Sequence, residues 1–208
     1  MARYTEAVCR LCRREGVKLF LKGTRCHTDK CSIQRRAYPP GQHGMARQKV
    51  TEYGVQLREK QRLKRVYGVL ERQLRKTFRE AARQQGPTGD NLIRLLERRL
   101  DTIVHRSGFA VSQRDSRQLV KHGHITVNGQ RVDIPSYLVR KGDIVEVRAK
   151  SRKSARLEIA AEIAGTGTSV SWLDIDAKSF KATVTDLPLR EEISTPFNEQ
   201  LIVELYSR

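Results

Sequence analysis

Ser112-Gln113-Arg114-Asp115-Ser116-Arg117-Gln118-Leu119-Val120-Lys121-His122-Gly123-His124-Ile125-Thr126-Val127-Asn128-Gly129 is the stretch whose reading settles the architecture. Its first half carries helix signals. Ser112 precedes Asp115 by three residues, a capping-box spacing with Asp in place of Glu. A short helix is predicted to about His122, closed by Gly123 in the position that favours a left-handed conformation. From Ile125 the apolar period falls to two, so Ile125-Thr126-Val127 reads as a strand. Asn128-Gly129 is the strongest short-range hairpin signal, and Arg131-Val132 brings the chain back. Gly142-Asp143 turns it again into Ile144-Val145-Glu146-Val147. On the N-terminal side, Leu92, Leu96, Leu100, Ile103 and Val104 share one face of a predicted single helix. Residues 92–148 therefore form a helix–helix–hairpin–strand module.

Working outward, residues 51–85 read as two helices with Gly68 as the stop between them. Gly86-Pro87-Thr88-Gly89 then breaks the chain. Residues 1–45 show no clean periodicity and end in Tyr38-Pro39-Pro40-Gly41-Gln42-His43-Gly44, which forbids a regular element. On the other side, residues 151–164 look helical. The tail, with Trp172, Phe180, Phe197 and Leu201-Ile202-Val203, reads as short strands and loops. The expected class is α+β, with a metal-stapled helical region, an α/β module and a tail of short strands and loops. The expected divisions are 1–45, 46–91, 92–160 and 161–208.

Composition points to a polyanionic partner. The 208 residues carry 41 Lys and Arg against 23 Asp and Glu, a net charge of +18. Residues 1–100 hold 25 of the basic and 9 of the acidic groups, residues 101–150 hold 9 and 5, and residues 151–208 hold 7 and 9. So large an excess repels itself in a compact chain. Nucleic acid relieves it best, because phosphates come in a dense line and binding releases counterions. An anionic membrane surface is the alternative. No apolar run is long enough to span a bilayer and none resembles a signal peptide, so a soluble, cytoplasmic protein is expected.

All four cysteines lie in the first 31 residues: Cys9, Cys12, Cys26 and Cys31. Two close pairs separated by a loop suit a tetrahedral thiolate site, with zinc as the expected ion in a structural role. An iron–sulfur cluster at the same four sulfurs is the alternative. Arg10, Arg13, Arg14, Lys18, Lys22 and Arg25 are expected to help keep the thiolates ionised. Two disulfides would be the bland reading, and a chain without a secretory signal disfavours it.

The candidate RNA contacts follow the basic charge. Around the cysteines they are Arg3, Arg10, Arg13, Arg14, Lys22, Arg35 and Arg36. The Pro/Gly segment, read as an extended loop that can thread along RNA, adds Tyr38, Pro39, Pro40, Gly41, Gln42 and His43, with Arg47 and Lys49 beyond it. The two helices add Arg58, Lys60, Arg62, Lys64, Arg65, Arg72, Arg75 and Lys76. In the module they are Ser112, Arg114, Arg117, Gln118, Lys121, His122, His124, Asn128 and Arg131. Arg114, Arg117 and Lys121 are spaced for one helix face and can straddle phosphates. The bland reading of each charge stripe is a solvated surface.

Signatures of catalysis are missing. Gly165-Thr166-Gly167-Thr168-Ser169-Val170 begins like a dinucleotide fingerprint but ends in Val, and no suitable strand precedes it. There is no phosphate-binding Walker loop and no Gly-x-Ser-x-Gly. The chain is expected not to be an enzyme. An RNA-modifying enzyme would need a catalytic domain for which too few residues remain. A zinc-dependent DNA-binding regulator would need a recognition helix that residues 1–45 do not offer.

Arg99-Leu100-Asp101, Gly108-Phe109-Ala110 and Arg117 to Gly129 resemble the RNA-binding module named after ribosomal protein S-four. Arg58-Glu59-Lys60-Gln61, Tyr67-Gly68, the Tyr38–Gly44 segment and Asn198-Glu199-Gln200-Leu201-Ile202-Val203-Glu204-Leu205-Tyr206-Ser207 extend the likeness to the bacterial S-four family. The resemblance implies an N-terminal helical domain with the α/β module inserted in it and a C-terminal segment that packs back on the helices, together with direct and early binding of 16S rRNA, nucleation of small-subunit assembly, and a part in translational accuracy. It also implies proteins S-five and S-twelve and the region where mRNA enters as neighbours, with the chain a monomer within the ribosome. Many members keep a four-cysteine zinc site. Thr102 and His105 depart from the family's usual Asn and Tyr, and residues 151–186 match least.

Overall fold

The structure, a computed structural model, describes residues 4–46, 49–164, 170–193 and 198–207. Two units partition the chain, one of residues 1–92 with 195–208 and one of residues 93–194.

The second unit is built around the hairpin. Helix α7 (Gln113–Lys121) starts where Ser112 Oγ accepts a hydrogen bond from Asp115 N at 3.4 Å. Strands β1 (Ile125–Val127) and β2 (Gln130–Arg131) join through Asn128 and Gly129, at φ 50° and 78°. Positive φ at both central residues is the twist-matched hairpin turn, and it explains why Asn and Gly stand there. The Asn128 side chain also holds β3 (Ile144–Val147): its Oδ1 accepts from Ile144 N and its Nδ2 donates to Asp143, each at 2.9 Å. Ile125, Val127, Val145 and Val147 all point inward, the period of two expected of half-buried strands.

Two expectations fail here. Residues 161–208 do not all return to the helical unit. After helix α8 (Ala155–Ala164), strands β4 (Leu173–Asp176) and β5 (Lys181–Val184) complete a five-stranded antiparallel sheet of order β2-β1-β3-β5-β4. β3 has a second edge whose backbone groups need partners, and β5 supplies them. Second, the single helix expected from Leu92 to Val104 is two: α5 (Thr88–Glu97) and α6 (Leu100–Arg106). Arg99 is extended at φ −67°, ψ 138°, and the first amides of α6 bond elsewhere. Leu100 N donates to Tyr137 O at 2.8 Å and Asp101 N to Pro135 O at 3.2 Å. A buried ion pair fixes the break. Arg99 Nε and Nη2 donate to Asp101 at 3.0 and 2.8 Å, and Arg117 lies 3.5 Å from the same carboxylate.

In the first unit, helices α3 (Glu52–Val66) and α4 (Glu71–Arg83) separate at Tyr67-Gly68. Leu201-Ile202-Val203 is not a strand. It lies in helix α9 (Glu199–Tyr206), begun by Asn198 Oδ1 accepting from Gln200 N at 2.9 Å, and Ile202 is buried. Helix α9 is tied to α3 and α4 by polar contacts distant in sequence. Gln56 Nε2 donates to Glu204 at 3.0 Å, Asn198 N to Glu59 at 3.1 Å, and Tyr206 Oη to Glu71 at 3.0 Å. Residues 1–45 also hold more helix than expected: α1 (Cys9–Glu15) and the single turn α2 (Ser32–Arg35). Val8 and Cys12 pack with Leu19 and Leu21 in a small apolar cluster.

Glu71 sits at the junction of three helices and gives a pH signature. Burial pushes its carboxyl up, but hydrogen bonds from Lys60 and Tyr206 and the charges of Lys60 and Lys64 outweigh this and hold the pKa below the ordinary value. A depressed carboxyl stabilises the fold above its unfolded pKa, near 4.3, and loses that contribution as pH falls through the folded value. Stability of the first unit, followed by urea unfolding, is expected to decline on acidification below about pH 4.3, and Glu71→Gln to flatten that decline. An unchanged slope in the variant would remove Glu71 from the account.

Candidate nucleic-acid interface

In the second unit, the end of α7 and the segments beside it gather cations. His122 and His124 rings stack with centroids 6.1 Å apart and planes at 28°. His124 Nδ1 lies 2.9 Å from Ser151 Oγ. Arg148 Nη1 donates to Gly123 O at 3.2 Å, on the carbonyl-rich end of α7 where a cation is favoured. Arg131 covers Gly123 so closely that a Cβ there would lie 2.2 Å from Arg131 Nε. A side chain there would push the Arg131 guanidinium aside, and φ +73° is a conformation that glycine adopts without strain. The field of the cluster is visible at His124, whose pKa is pushed down by burial and by His122, Arg148, Arg156 and Arg131. Lys121 and His122 are exposed at its rim. This is a compact positive surface with two imidazoles and several guanidiniums, a combination suited to phosphates and base faces.

In the first unit, the arginines of α3 surround one buried acid. Glu15 accepts from Arg58 Nη1 at 3.2 Å and from Arg65 Nη1, and its carbonyl accepts from Arg62 Nη2 at 3.2 Å. Arg62 also donates to Glu59. Lys60 and Lys64 reach Glu71 at 2.9 and 3.4 Å. These five cations hold the unit together on one side and expose only part of their length. Arg72, Arg75 and Lys76 of α4 are exposed, as are Arg10, Arg14, Lys22, Arg35, Arg36 and Lys49.

The four cysteines line one cavity of about 10 Å³, together with Lys22 and Arg25. That is room for a single atom-sized guest. None of the four is in a disulfide, and Cys12, Cys26 and Cys31 are buried. Burial pushes the Cys12 and Cys26 thiols up from their ordinary value. Among the described residues no three His, Cys, Asp or Glu side chains stand together as a finished ligand group. The donor chemistry and the shared cavity fit a thiophilic ion.

Comparison with known proteins places this geometry. Residues 3–97 match the family described as ribosomal protein S4/S9 N-terminal domain, and residues 98–145 match the S4 domain. The chain is 58% identical over 208 residues to small ribosomal subunit protein uS4 of Pelotomaculum thermopropionicum, covering all of both chains. It is 59% identical over 209 residues to the uS4 of Syntrophomonas wolfei, again end to end. The chain belongs to the uS4 family.

In this uS4-family chain the predicted contacts separate into groups. Lys121, His122, His124 and Arg131 come together as described. Asn128 is exposed yet committed to Asp143 and Ile144, and Ser112 is the cap of α7. Arg117 does not share an open face with Arg114 and Lys121. It turns to buried Asp101, while Arg114 and Lys121 are exposed. Gln118 is half-buried. The Pro/Gly segment is not extended. Gly44 N bonds to Gly41 O at 3.2 Å and Ala46 N to His43 O at 3.1 Å. Arg13 anchors the segment by donating to Tyr38 O at 3.0 Å and Pro39 O at 3.3 Å, with its guanidinium 4.9 Å from the Tyr38 ring centroid. Pro40 is half-buried, and Gly41, Gln42 and His43 remain exposed at the tip. Arg3 and Arg47 lie outside the described residues. Arg148 and Arg156, which sequence reading passed over, join the cluster in the S4-domain unit. Arg156 pairs with Asp115, 41 positions earlier, and no local pattern signals that. Among the described residues no helix is long and apolar enough to cross a membrane.

Proposed function

We propose that this chain is a structural component of the small ribosomal subunit that binds 16S rRNA, without catalytic activity. The observation that carries the reading is end-to-end identity of 58% with a uS4 protein. The His122–Arg131–Arg148 surface and the exposed cations of α4 supply the chemistry that phosphates require. Early binding that nucleates assembly of the body of the subunit, a contribution to translational accuracy, and contacts with proteins S-five and S-twelve near the region where mRNA enters belong to the same proposal. Filter binding to 16S rRNA tests it. With roughly six or more phosphate contacts, affinity is expected to fall about 1,000-fold or more between 50 and 200 mM salt. A nearly flat plot of log K against log salt would overturn it.

Zinc at Cys9, Cys12, Cys26 and Cys31 belongs to the same proposal. A closed tetrathiolate shell supplies folding energy and leaves no open position for chemistry. Changing Cys9 and Cys12 to Ser is expected to release one metal ion per chain by native mass spectrometry and to raise amide exchange across residues 4–46. Helices α3 and α4 should keep their protection. Unchanged metal content would sink the site. Iron in place of zinc in the same spectrum would select the iron–sulfur alternative.

A further inference from the structure

A cavity of about 390 Å³ opens in the first unit at the start of α3. Its size falls within the range of roughly 300–1,000 Å³ typical of small-molecule sites, well beyond what a lone phosphate fills. Arg14, Lys49, Arg58 and Arg62 line it against a single carboxylate, Glu59. Four cations less one anion leave +3 on the wall. Behind the wall, buried Glu15 grips Arg58 and Arg65, and the backbone of Glu15 grips Arg62. The inner donors of these guanidiniums are therefore used, and their planes are held in place before any ligand arrives. That preorganisation lowers the entropy an anion must overcome on binding.

The remaining wall is of a different kind. Val50, Val55 and Leu57 contribute apolar surface, and Thr51 and Gly54 bring the first turn of the 15-residue α3 to the edge. An anion-binding side, an apolar side and room for about one nucleotide define one ligand chemistry. We propose that this cavity takes a nucleoside monophosphate unit, with the phosphate among Arg14, Lys49, Arg58 and Arg62 and the base against Val50, Val55 and Leu57. Two sources share that chemistry: a free nucleotide, and a nucleotide turned out of bound RNA. The second source rests on the RNA-binding reading above, and the first does not.

The test titrates AMP into the isotope-labelled full-length chain at 150 mM salt and follows amide shifts. Saturable shifts confined to residues 49–62 and the end of α1 are expected. AMP should bind about tenfold more tightly than inorganic phosphate, with adenosine producing no saturation. Arg14→Ala with Lys49→Ala, both at exposed positions, should weaken AMP about tenfold or more. The same charge loss at exposed Lys141 and Lys178 should leave AMP affinity unchanged. Repeating the titration on the complex with 16S rRNA separates the sources. Loss of AMP binding assigns the cavity to a nucleotide of the RNA, and persistence assigns it to a free one. Shifts scattered over the surface, equal affinity for phosphate alone, or equal affinity for an acidic peptide would overturn the proposal. Absent AMP shifts together with intact rRNA binding would remove this site and leave the RNA reading standing. Loss of rRNA binding with intact AMP shifts would do the reverse.

Discussion

Replacing Asp101 with Ala is expected to destabilise the 93–194 unit by about 3–5 kcal/mol. Asp101 is fully buried, and the Arg99 side chain is only 3% exposed. Removal of the carboxylate strands the Arg99 guanidinium in the interior without its two hydrogen bonds. Arg117 loses its partner at 3.5 Å as well. The loss compares with a total stability of about 5–15 kcal/mol for a domain, so it removes a large share of it. The damage extends past one ion pair, because Arg99 and Asp101 fix the break between α5 and α6. Urea unfolding monitored at Trp172, which is buried in the same unit, reads the effect. A loss below about 1 kcal/mol would mean that the pair is replaceable by ordinary packing. Asp101→Asn, which keeps the shape and one acceptor, should fall between the two.

The second large effect concerns affinity. Lys121→Glu with Arg131→Glu is expected to weaken 16S rRNA binding by roughly 100-fold at physiological salt, and to lower the salt slope by about one unit or more. Both residues are exposed. Folding should therefore survive, which circular dichroism checks. Arg117 would be the wrong choice for this experiment, although its spacing recommends it. Reversing it would set a carboxylate against Asp101, and any lost binding would be confounded by unfolding. Full-strength binding by the double variant would move the interface away from the end of α7.

Part of this architecture was legible in the sequence. The hairpin was, because Asn128-Gly129 and the alternation of Ile125, Val127, Val145 and Val147 are local and strong. The cap at Ser112 was legible for the same reason. The break at Arg99 was not. Leu92 to Val104 keeps a helical apolar period through it, and the amides of α6 are captured by Pro135 and Tyr137, more than thirty positions away. Leu201-Ile202-Val203 misled in the same way, since three apolar residues in a row carry no period and only the packing of α9 on α3 decides them. For the candidate interface, composition located the charge but could not say which cations are spent internally. Arg58, Arg62 and Arg65 look like a freely solvated stripe until Glu15 is seen taking their inner donors. Arg148 and Arg156 reach the cluster only through tertiary contact.

The way α9 is used has a consequence for synthesis. Gln56 meets Glu204, Glu59 meets Asn198, and Glu71 meets Tyr206, pairs separated by 148, 139 and 135 positions. A ribosome adding about 5–20 residues per second delivers α9 on the order of ten seconds after α3. During that interval the complete 93–194 unit emerges and can close its own sheet, while α3 and α4 wait with the surface for Ile202 uncovered. The unit translated first is thus the last to be finished. The nascent chain must either shield that surface in the meantime or rest it on the RNA to which its positive charge already draws it.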